Sequence, residues 1–286
     1  MKSILVQFDT DVQPSVFDRV VAVDSGVEQL FAYGGVTPET VESLVHGAIF
    51  TRGVHDLSST AIFVGGSDVA AGEQVFAAVQ EAFFGPMRVS VMMDSNGSNT
   101  TAAAAVLRAR RHVTLAGSVA VVLGGTGPVG QRAAELLALE GASVRVGSRS
   151  LERAAATCES IATRVDGAEL QPVATGDSDS VAAALAGAVT VIAAGATGVQ
   201  LISAETLAAS DLQVAIDLNA VPPLGIEGVE MTDKAVESGG VVRYGAIGVG
   251  GTKMKIHTAA LKRLFVANDG VLDTEAIYRI GESLEK

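Results

Sequence analysis

The stretch that most constrains the fold is residues 118–130, SVAVVLGGTGPVG, which reads as a strand that runs directly into a glycine-rich turn and a helix. Its aliphatic residues, at 119–123, are typical of a strand buried on both faces of a parallel sheet. The turn has the spacing G-x-G-x-x-G at Gly125, Gly127 and Gly130. A strand, this spacing and a helix in succession indicate a dinucleotide-binding turn more strongly than the glycines do alone.

Each glycine of this turn has a predicted task. Gly125 allows the tight turn, Gly127 lets a pyrophosphate approach the backbone, and Gly130 lets the helix pack close to the strand. The helix N-terminus presents N–H groups and the positive end of its dipole to the phosphates. We therefore predict that a dinucleotide contacts Gly125, Thr126, Gly127, Pro128, Val129 and Gly130. Because the chain contains 32 glycines, a purely structural turn is the alternative.

The composition favours an α/β protein with parallel sheets. The chain has 286 residues, of which 48% are hydrophobic and only 4% aromatic, so its core must be built from Ala, Val, Leu and Ile. Strands and helices are predicted to alternate along the chain. Strands are expected at 3–8, 29–33, 61–64, 89–93, 120–123, 143–146, 169–173, 189–193, 214–217 and 241–244.

These elements predict two domains, one inserted in the other. A Rossmann-type doubly wound parallel sheet over residues 113–250 binds the nucleotide, and residues 1–112 with 251–286 form a second α/β domain that is catalytic. The first helix of the catalytic domain follows Pro14. Its apolar side is predicted to consist of Phe17, Val20, Val21 and Val23.

Charge and cysteine content restrict the partners and the compartment. The formal net charge is −12 and no basic run occurs, which argues against nucleic acid or an anionic membrane surface as a partner. Cys158 is the only cysteine, so no disulfide forms within one chain and we expect a cytoplasmic protein. We find neither a signal peptide nor an apolar run of membrane length, and no Cys/His spacing predicts a bound metal.

The residues after the second strand of the nucleotide domain predict the cofactor. An NAD site usually places Asp or Glu there for the ribose hydroxyls, whereas Ser148, Arg149 and Ser150 suit the 2′-phosphate of NADP. Arg153, one helical turn on, assists the phosphate or lies on the surface. An arginine that only lines the strand end is the alternative for Arg149.

Two later strands of the same domain end in residues that suit the rest of the dinucleotide. Ala194 and Gly195 follow one strand and Asn219 follows the next. Ligands of open α/β sheets bind beyond the carboxyl ends of the strands, so these residues should border the ribose and nicotinamide. Ordinary tight turns are the alternative for each.

The distribution of lysines indicates a second site. Two of the six lysines, Lys253 and Lys255, lie in GVGGTKMK at the start of a helix predicted over residues 251–265. Lys253 shares a helix face with His257 at i+4 and with apolar residues at i+3, i+7 and i+11. Lys255 aligns with Lys262 on the polar face. We therefore predict that Lys253 lies in a cleft. The alternative is that Lys253 is a surface lysine at a helix end.

Seven segments spread along the chain form a distinctive set, of which only the nucleotide-binding turn is common in other families. They are 7–11 (QFDTD), 14–18 (PSVFD), 83–86 (FFGP), 94–101 (DSNGSNTT), 125–130 (GTGPVG), 222–226 (PPLGI) and 248–257 (GVGGTKMKIH). Together they resemble the NADP-dependent methylenetetrahydromethanopterin/methylenetetrahydrofolate dehydrogenases of one-carbon metabolism. The resemblance covers the whole chain.

This resemblance implies a reversible hydride transfer from the methylene bridge of a reduced pterin to NADP, which gives the methenyl pterin. It also implies an interdomain cleft, a pterin-binding role for the catalytic domain, and a homo-oligomer, expected to be a trimer. In the family, the lysine that matches Lys253 lies in the active site. The expected pterin-binding residues are Asp9, Asp18, Asp94, Asn96, Ser98, Asn99, Thr100, Thr101, Lys253 and His257. From the residues alone, Asp9 equally suits a turn and Asp18 a surface position.

Two other functions stay open at this point. A shikimate-dehydrogenase-like or glutamyl-tRNA-reductase-like NADP oxidoreductase shares the two-domain plan, but its substrate-domain motifs are not found here. A non-catalytic NADP-binding sensor is disfavoured by Lys253 and by the polar run at 94–101.

Overall fold

The computed structural model describes residues 1–285 and contains two compact units. Unit 1 is Met1–Thr100 together with the chain from Met254 onward, and unit 2 is Thr101–Lys253. Unit 2 is thus inserted between two parts of unit 1. Both points at which the chain passes from one unit to the other lie inside continuous helices, where no change of composition marks them. The unit limits therefore differ from the predicted 1–112, 113–250 and 251–286.

The elements follow the predicted alternation of strand and helix. The strands are β1 (Ile4–Asp9), β2 (Gln29–Tyr33), β3 (Thr60–Gly65), β4 (Ser90–Met93), β5 (Val119–Leu123), β6 (Ser143–Ser148), β7 (Leu170–Ala174), β8 (Thr190–Ala193), β9 (Val214–Asp217), β10 (Lys234–Ser238), β11 (Val241–Tyr244) and β12 (Val271–Leu272). The helices are α1 (Val16–Asp24), α2 (Pro38–Ile49), α3 (Val69–Glu81), α4 (Ser98–Arg110), α5 (Pro128–Leu139), α6 (Leu151–Ala162), α7 (Ser178–Leu185), α8 (Ala204–Ala208), α9 (Ala246–Arg263) and α10 (Thr274–Ser283).

Unit 1 is built on a five-stranded sheet with the order β12-β4-β3-β1-β2, in which all neighbours are parallel. Strand β3 lies at its centre and all six of its residues are buried. Alternate residues of β1 and β3 pack against α2 and α3 in one hydrophobic core, which includes Phe8, Ile62 and Val64. The carboxyl ends of β1, β3 and β4 consequently meet at one edge of the sheet.

The orientation of α1 differs from the prediction. Val21 and Ala22 are the buried residues of this helix, and Phe17, Val20 and Val23 are between 51% and 59% exposed. The prediction that all the apolar side chains form the packed side is therefore wrong, except for Val21. The helix packs against the rest of unit 1 through Val21 and Ala22, and most of its other apolar residues face outward.

Unit 2 is a doubly wound sheet with the order β10-β11-β9-β8-β5-β6-β7. All its neighbours are parallel except β10 and β11, which are antiparallel. The chain starts in the middle, at β5, and winds outward on one side through β6 and then on the other through β8. The strand order reverses between β5 and β8, which is where such sheets bind ligands. The predicted fold class, a Rossmann-type sheet inserted in a second α/β unit, is confirmed.

All ten predicted strands are present, with ends within two residues of the prediction. Strands β10 and β12 were not predicted, because β10 is wholly exposed and β12 has only two residues, so neither has a buried pattern. Helix α9 begins at Ala246 instead of about 251. The glycines of GVGG therefore lie within its first turns.

Candidate functional site

The glycine-rich turn of unit 2 joins β5 to α5 and is shaped by close packing. The sharp turn lies at Gly124, where φ is +70°, and not at Gly125 as the sequence predicts. Gly125 instead packs against β6, where a Cβ would stand 2.7 Å from Cγ1 of Val146. Gly130 packs against the carbonyl of Gly124 without room for a side chain. The fold itself therefore requires glycine at these positions.

Gly127 is different because protein packing does not require it. A Cβ there would lie 3.4 Å from the Gly124 carbonyl oxygen and 3.8 Å from that of Ala194, which are ordinary contact distances. Gly127 is the N-cap of α5 and lines an open cavity. Gly127 therefore lies at a helix N-terminus and beside a cavity, at a position where packing within the protein would allow a side chain. This is the geometry that a closely approaching phosphate needs.

That cavity has a volume of about 870 Å³ and lies at the carboxyl ends of the unit 2 strands. Its size is within the range of small-molecule and cofactor sites. Its walls are the segments that follow β5, β6, β7 and β8, and they include the point at which the strand order reverses. The predicted cofactor-binding residues that line it are Thr126, Gly127, Pro128, Ser148, Arg149, Ser150, Ala194 and Gly195.

One wall of the cavity combines two arginines with two hydroxyls. Arg149 directly follows β6, Arg153 lies in the first turn of α6, and both side chains are exposed. The Ser148 hydroxyl accepts a hydrogen bond from the backbone N–H of Ser150 at 3.2 Å. Ser150 caps α6 by accepting from the N–H of Arg153 at 3.3 Å. Each hydroxyl keeps its hydrogen for a ligand, so this wall suits an anion such as a phosphate monoester.

The segment after β7, residues 175–178, also lines the cavity and was not selected from the sequence. Its Asp177 caps α7 by accepting from the N–H of Ser180 at 2.8 Å. Hydrogen bonds from the backbone and hydroxyl of Ser180 hold the pKa of this carboxyl below its ordinary value. A fixed negative charge therefore stands in the cavity wall. The rule that ligands bind beyond strand ends applies to β7 as to its neighbours and could have found these residues.

Four predicted cofactor-binding residues are absent from the cavity lining. Gly125, Val129 and Gly130 belong to the turn and the start of α5. Asn219 is buried, donates through Nδ2 to the Pro223 carbonyl at 3.3 Å, and accepts the N–H of Val221 at 3.1 Å. In the structure Asn219 therefore organises the loop after β9.

The buried Asp217 holds the same loop from the end of β9. Its carboxylate accepts the N–H groups of Asn219 at 2.9 Å and Ile226 at 2.8 Å. Burial raises the pKa of this carboxyl, and the hydrogen bonds partly oppose that shift. The loop is consequently fixed from within by its own polar groups.

In unit 1, the predicted substrate-binding carboxylates begin with Asp9 at the end of β1. Asp9 is completely buried and accepts hydrogen bonds from Nε2 of Gln7 at 3.0 Å and from the N–H groups of Asp11 at 2.9 Å and Ser15 at 3.0 Å. Three donors on one carboxylate make it part of the link between β1 and α1. These contacts are those of a turn-forming residue, which is the alternative that the sequence left open for Asp9.

Asp18 reaches the same place from α1. A Cβ placed on Gly65, the last residue of β3, would lie 3.3 Å from Oδ2 of Asp9 and 3.6 Å from Oδ2 of Asp18. Both carboxylates therefore lie beside Gly65, at the end of β3.

Asp94 organises the polar run that follows β4. Its Oδ1 accepts the N–H groups of Asn99 and Thr100, each at 3.0 Å, and its Oδ2 accepts the Thr100 hydroxyl at 2.6 Å. The side chain is fully buried and caps the start of α4. The amide of Asn99 donates to the Met93 carbonyl at 2.7 Å and accepts from the Thr274 hydroxyl at 3.0 Å. These bonds hold the run in place.

The other members of this run differ in exposure. Ser98 is buried and donates to the Ser95 carbonyl at 2.8 Å, and Thr101 is half-buried. Asn96 is exposed, with a φ of +55° and its N–H bonded to the Gly66 carbonyl at 2.7 Å. Of the predicted side chains in the run, Asn96 is the one most open to a ligand.

His257 on α9 completes the cluster in unit 1. Its ring is completely buried, and Nδ1 lies 3.9 Å from Oδ2 of Asp94. The ring stacks on Phe63, with centroids 5.8 Å apart and an interplanar angle of 15°, and lies 6.4 Å from the ring of Phe17. Asp9, Asp18, Asp94 and His257 are therefore brought together around the end of β3. The aromatic residues Phe17 and Phe63 were not predicted as part of this cluster.

Lys253 lies one turn before His257 on α9. It is half-buried, whereas Lys255 and Lys262 are exposed, and the apolar residues that share its face are buried. The predicted division of this helix into an inward and a polar face is therefore correct.

Two kinds of feature are absent from the described residues. Within residues 1–285, no group of three or more His, Cys, Asp or Glu side chains is arranged to hold a metal ion. Over the same residues, every helix is too short or too polar to cross a membrane.

Comparison with known proteins identifies relatives over the whole chain. Residues 16–96 match the family model for the N-terminal domain of methylene-tetrahydromethanopterin dehydrogenase. The bifunctional protein MdtA of Methylorubrum extorquens is 48% identical over 286 residues, which are 99% of each chain. The NAD(P)-dependent methylenetetrahydromethanopterin dehydrogenase of the same organism is 34% identical over 290 residues, covering 98% of this chain and 97% of that protein.

Among solved structures, quinate dehydrogenase from Corynebacterium glutamicum in complex with NAD is similar, with a TM-score of 0.54 and 14% identity over 99% of each chain. At this identity the likeness concerns the fold alone.

Proposed function

Because the chain belongs to the methylenetetrahydromethanopterin dehydrogenase family, we propose that it transfers a hydride reversibly from methylenetetrahydromethanopterin to NADP and forms the methenyl pterin. Methylenetetrahydrofolate is proposed as a second donor in the same one-carbon chemistry. The observation that carries the proposal is an identity of 34% to an NAD(P)-dependent methylenetetrahydromethanopterin dehydrogenase, together with 48% to the bifunctional protein MdtA, each over nearly the whole chain. The alternatives, a shikimate-dehydrogenase-like enzyme and a non-catalytic sensor, are not favoured by this family.

The cavity of unit 2 is the proposed cofactor site. NADP, when bound, supplies the hydride acceptor through its nicotinamide. Gly127 and the N-terminus of α5 would take the pyrophosphate, because glycine is dispensable there for packing. Arg149 would bind the 2′-phosphate with the hydroxyls of Ser148 and Ser150, and Arg153 would add a second positive charge. Together they would favour NADP over NAD.

The residues around the end of β3 in unit 1, with Lys253 on α9, form the proposed pterin site. The reacting carbon of the pterin lies between two nitrogens, whose lone pairs stabilise the cation that the departing hydride leaves, so no general base is needed. The protein has to hold the donor carbon in position and exclude water. Lys253 would orient the pterin by hydrogen bonding, and the buried carboxylates and His257 would keep the surrounding loops fixed.

We further propose a cytoplasmic homo-oligomer, expected to be a trimer, that acts on a small pterin and engages neither nucleic acid nor membranes. The net charge of −12 and the single cysteine support this setting. In this proposal residues 113–250 bind NADP, and residues 1–112 with 251–286 bind the pterin.

A spectrophotometric assay of cofactor reduction tests the function. The purified chain is given NADP or NAD with methylenetetrahydromethanopterin, methylenetetrahydrofolate, shikimate or no substrate. We expect NADPH to form with the first pterin and none to form with shikimate. Cofactor binding without turnover on either pterin would favour the sensor instead.

A further inference from the structure

One wall of the cavity in unit 2 is the loop that joins β8 to α8, residues 194–203, which we call the β8 wall. A loop that becomes ordered only when a ligand binds lowers the affinity, because binding has to offset the lost conformational entropy. Whatever fixes the β8 wall beforehand therefore bears on the affinity for the cofactor. The residues of this wall that line the cavity are Ala194, Gly195, Ala196, Val199, Gln200, Leu201 and Ser203.

The backbone of the β8 wall is bonded to the end of the PPLGI motif, to which the proposed sites give no role. The Gly225 carbonyl accepts the N–H groups of Leu201 at 2.7 Å and Ile202 at 3.0 Å. The N–H of Glu227 donates in turn to the Ile202 carbonyl at 2.9 Å. Ile202 and Ile226 form a parallel bridge, and both are fully buried. The position of the wall therefore depends on the position of the motif.

Asp217 fixes the end of this motif from inside unit 2. Its side chain is buried at the end of β9, in register with Ala193, the last residue of β8. Its Oδ2 accepts the N–H of Ile226 at 2.8 Å. Gly225 packs on the same carboxylate so closely that a Cβ would lie 2.8 Å from Oδ1. One carboxylate therefore sets the position of the residues to which the β8 wall is bonded.

The hydrogen bonds at Asp217 require a carboxylate. Oδ1 accepts the N–H of Asn219 at 2.9 Å while Oδ2 accepts that of Ile226, so both oxygens act as acceptors. An asparagine side chain has nearly the same size but only one oxygen, and its NH2 group would face an N–H group with a second donor. Asp217→Asn therefore disturbs this contact with little change in volume.

Two side chains extend the support to the surface of the cavity. Leu201 packs on Gly195, where a Cβ would lie 2.8 Å from its Cδ1, and both residues line the cavity. The exposed Glu227 accepts, through Oε2, the N–H of Ala204 at 2.9 Å and Nε2 of Gln200 at 3.3 Å. A displacement of the motif would therefore move residues that border the ligand.

We propose that Asp217 is a positioning residue for the nicotinamide dinucleotide, and that it holds the β8 wall, through Gly225, in the conformation that receives the cofactor. The inference rests on the proposed function in one respect, since it takes the cavity of unit 2 as the cofactor site. Strands β6 and β8 flank β5 on opposite sides, so the β8 wall is separate from the wall that holds Arg149. Asp217 should therefore affect NADP and NAD equally.

Direct binding of the reduced cofactors tests the proposal without relying on turnover. NADPH and NADH are each titrated into the full chain, and nicotinamide fluorescence gives the two Kd values. Asp217→Asn should raise both by the same factor, about 10-fold. Asp233→Asn is the matched control, because this half-buried carboxylate holds another loop of unit 2, next to β10, by accepting the N–H of Glu230 at 2.9 Å. The control should leave both Kd values unchanged.

Amide hydrogen exchange in the cofactor-free protein separates positioning of the wall from stabilisation of the loop after β9. In Asp217→Asn the amides of Leu201 and Ile202 should exchange about 10-fold faster than in wild type, because their acceptor is no longer held in place. In Asp233→Asn they should exchange at the wild-type rate. Faster exchange that is confined to the loop after β9 would overturn the proposal.

Glu227→Ala keeps the proposal testable if Asp217→Asn does not fold. Glu227 is exposed, so the variant should fold, and the loss of its two hydrogen bonds to the wall should raise both Kd values about threefold. Unchanged Kd values in folded Asp217→Asn, or in Glu227→Ala where the first variant does not fold, would overturn the proposal, as would an increase confined to NADPH. A wild-type chain that binds neither nucleotide would contradict the proposed function itself.

Discussion

The glycine-rich turn of unit 2 and the carboxylate cluster of unit 1, the two proposed ligand sites, are built in opposite ways. The turn consists largely of glycine backbone without side chains, and it borders an open cavity of about 870 Å³. The cluster is made of side chains, and Asp9, Asp94 and His257 are buried with no more than 1% of their surface exposed. The carboxylates already accept hydrogen bonds from their own chain.

Because of this difference, substitutions in the two regions should alter different properties of the protein. Residues at the turn border a space that is available to a ligand, so changes there should alter binding more than folding. Residues of the cluster hold β1, β4 and their following helices together, so changes there should alter folding first.

Asp94→Ala should cause the largest loss. It removes the acceptor of three hydrogen bonds inside unit 1 and leaves two buried N–H groups unsatisfied, which costs about 3 kcal/mol or more in the free energy of unfolding. Asp68→Ala is the matched control, because Asp68 is an exposed carboxylate that caps α3, and its loss should cost about 1 kcal/mol. Equal losses in urea unfolding would contradict a structural role for the buried cluster.

Lys253→Met should lower kcat about 100-fold in a protein that remains folded, because an oriented hydrogen-bond donor at the reacting centre is lost. Lys255→Met, on the exposed face of the same helix, should leave kcat unchanged. Steady-state kinetics with the pterin and NADP varied in turn would separate kcat from the two KM values. Unchanged kinetics in Lys253→Met would remove this residue from the active site.

Arg149→Ala should raise the KM for NADP about 10- to 100-fold, which is the value of one or two charge-assisted hydrogen bonds. The KM for NAD should change little. Arg153→Ala provides the comparison within the same wall of the cavity and should have a smaller effect of the same kind. An equal rise for NAD and NADP in Arg149→Ala would mean that the phosphate lies elsewhere.

Gly127→Ala separates binding from folding most cleanly. A Cβ fits at this position, so the melting temperature should stay within about 2 °C of wild type, while the KM rises about 10-fold for NADP and NAD alike. Gly130→Ala should instead lower the melting temperature, because no space exists for its Cβ. If Gly127→Ala melted like Gly130→Ala, the turn would be as structural as the cluster.

Asp177→Asn should have the smallest effect, a two- to threefold tighter binding of NADP, because it removes a negative charge from the wall of the cavity. The pKa of Asp177 is held below its ordinary value of 3.8, so its contribution to stability is present above that pH and is lost as the pH falls through the lowered pKa. Because the Asp177 carboxylate stays ionised, the gain in affinity, followed by titration calorimetry, should be present throughout the range from about pH 5 to pH 8. A gain that disappeared within this range would point to another group.

The sequence predicts much of the molecule where local patterns decide the structure. The ten main strands and the dinucleotide turn depend on runs of Val, Ile and Leu and on glycine spacing, and these can be seen without tertiary contacts. The inward face of α9 was also predicted, because four buried positions follow helical spacing. In contrast, the exposure of Val16, Val20 and Val23 on α1 could not be predicted, because valines with the same helical spacing also form packed faces.

The roles in unit 1 were harder to predict because they depend on residues that are distant in the sequence. Asp94, Phe63 and His257 meet only when three separate segments have folded together. The loop at 175–178 was missed for another reason, since its residues are common turn formers with no distinctive spacing. Asn219 was placed at the ligand by its position after a strand, although its hydrogen bonds hold its own loop.

The pairing of β12 with β4 has a consequence for the order of events on the ribosome. Val271 pairs with Val91, so the sheet of unit 1 gains its last strand only after the intervening chain, all of unit 2 included, has been synthesised. Unit 2 is continuous in sequence and can fold as soon as it emerges from the ribosome. In contrast, the contact between Asp94 and His257 in unit 1 can form only after residue 257 has been synthesised. A nascent chain therefore completes the sheet of unit 2 before the sheet of unit 1 is complete. During that interval, Phe63 is not yet covered by His257 of α9.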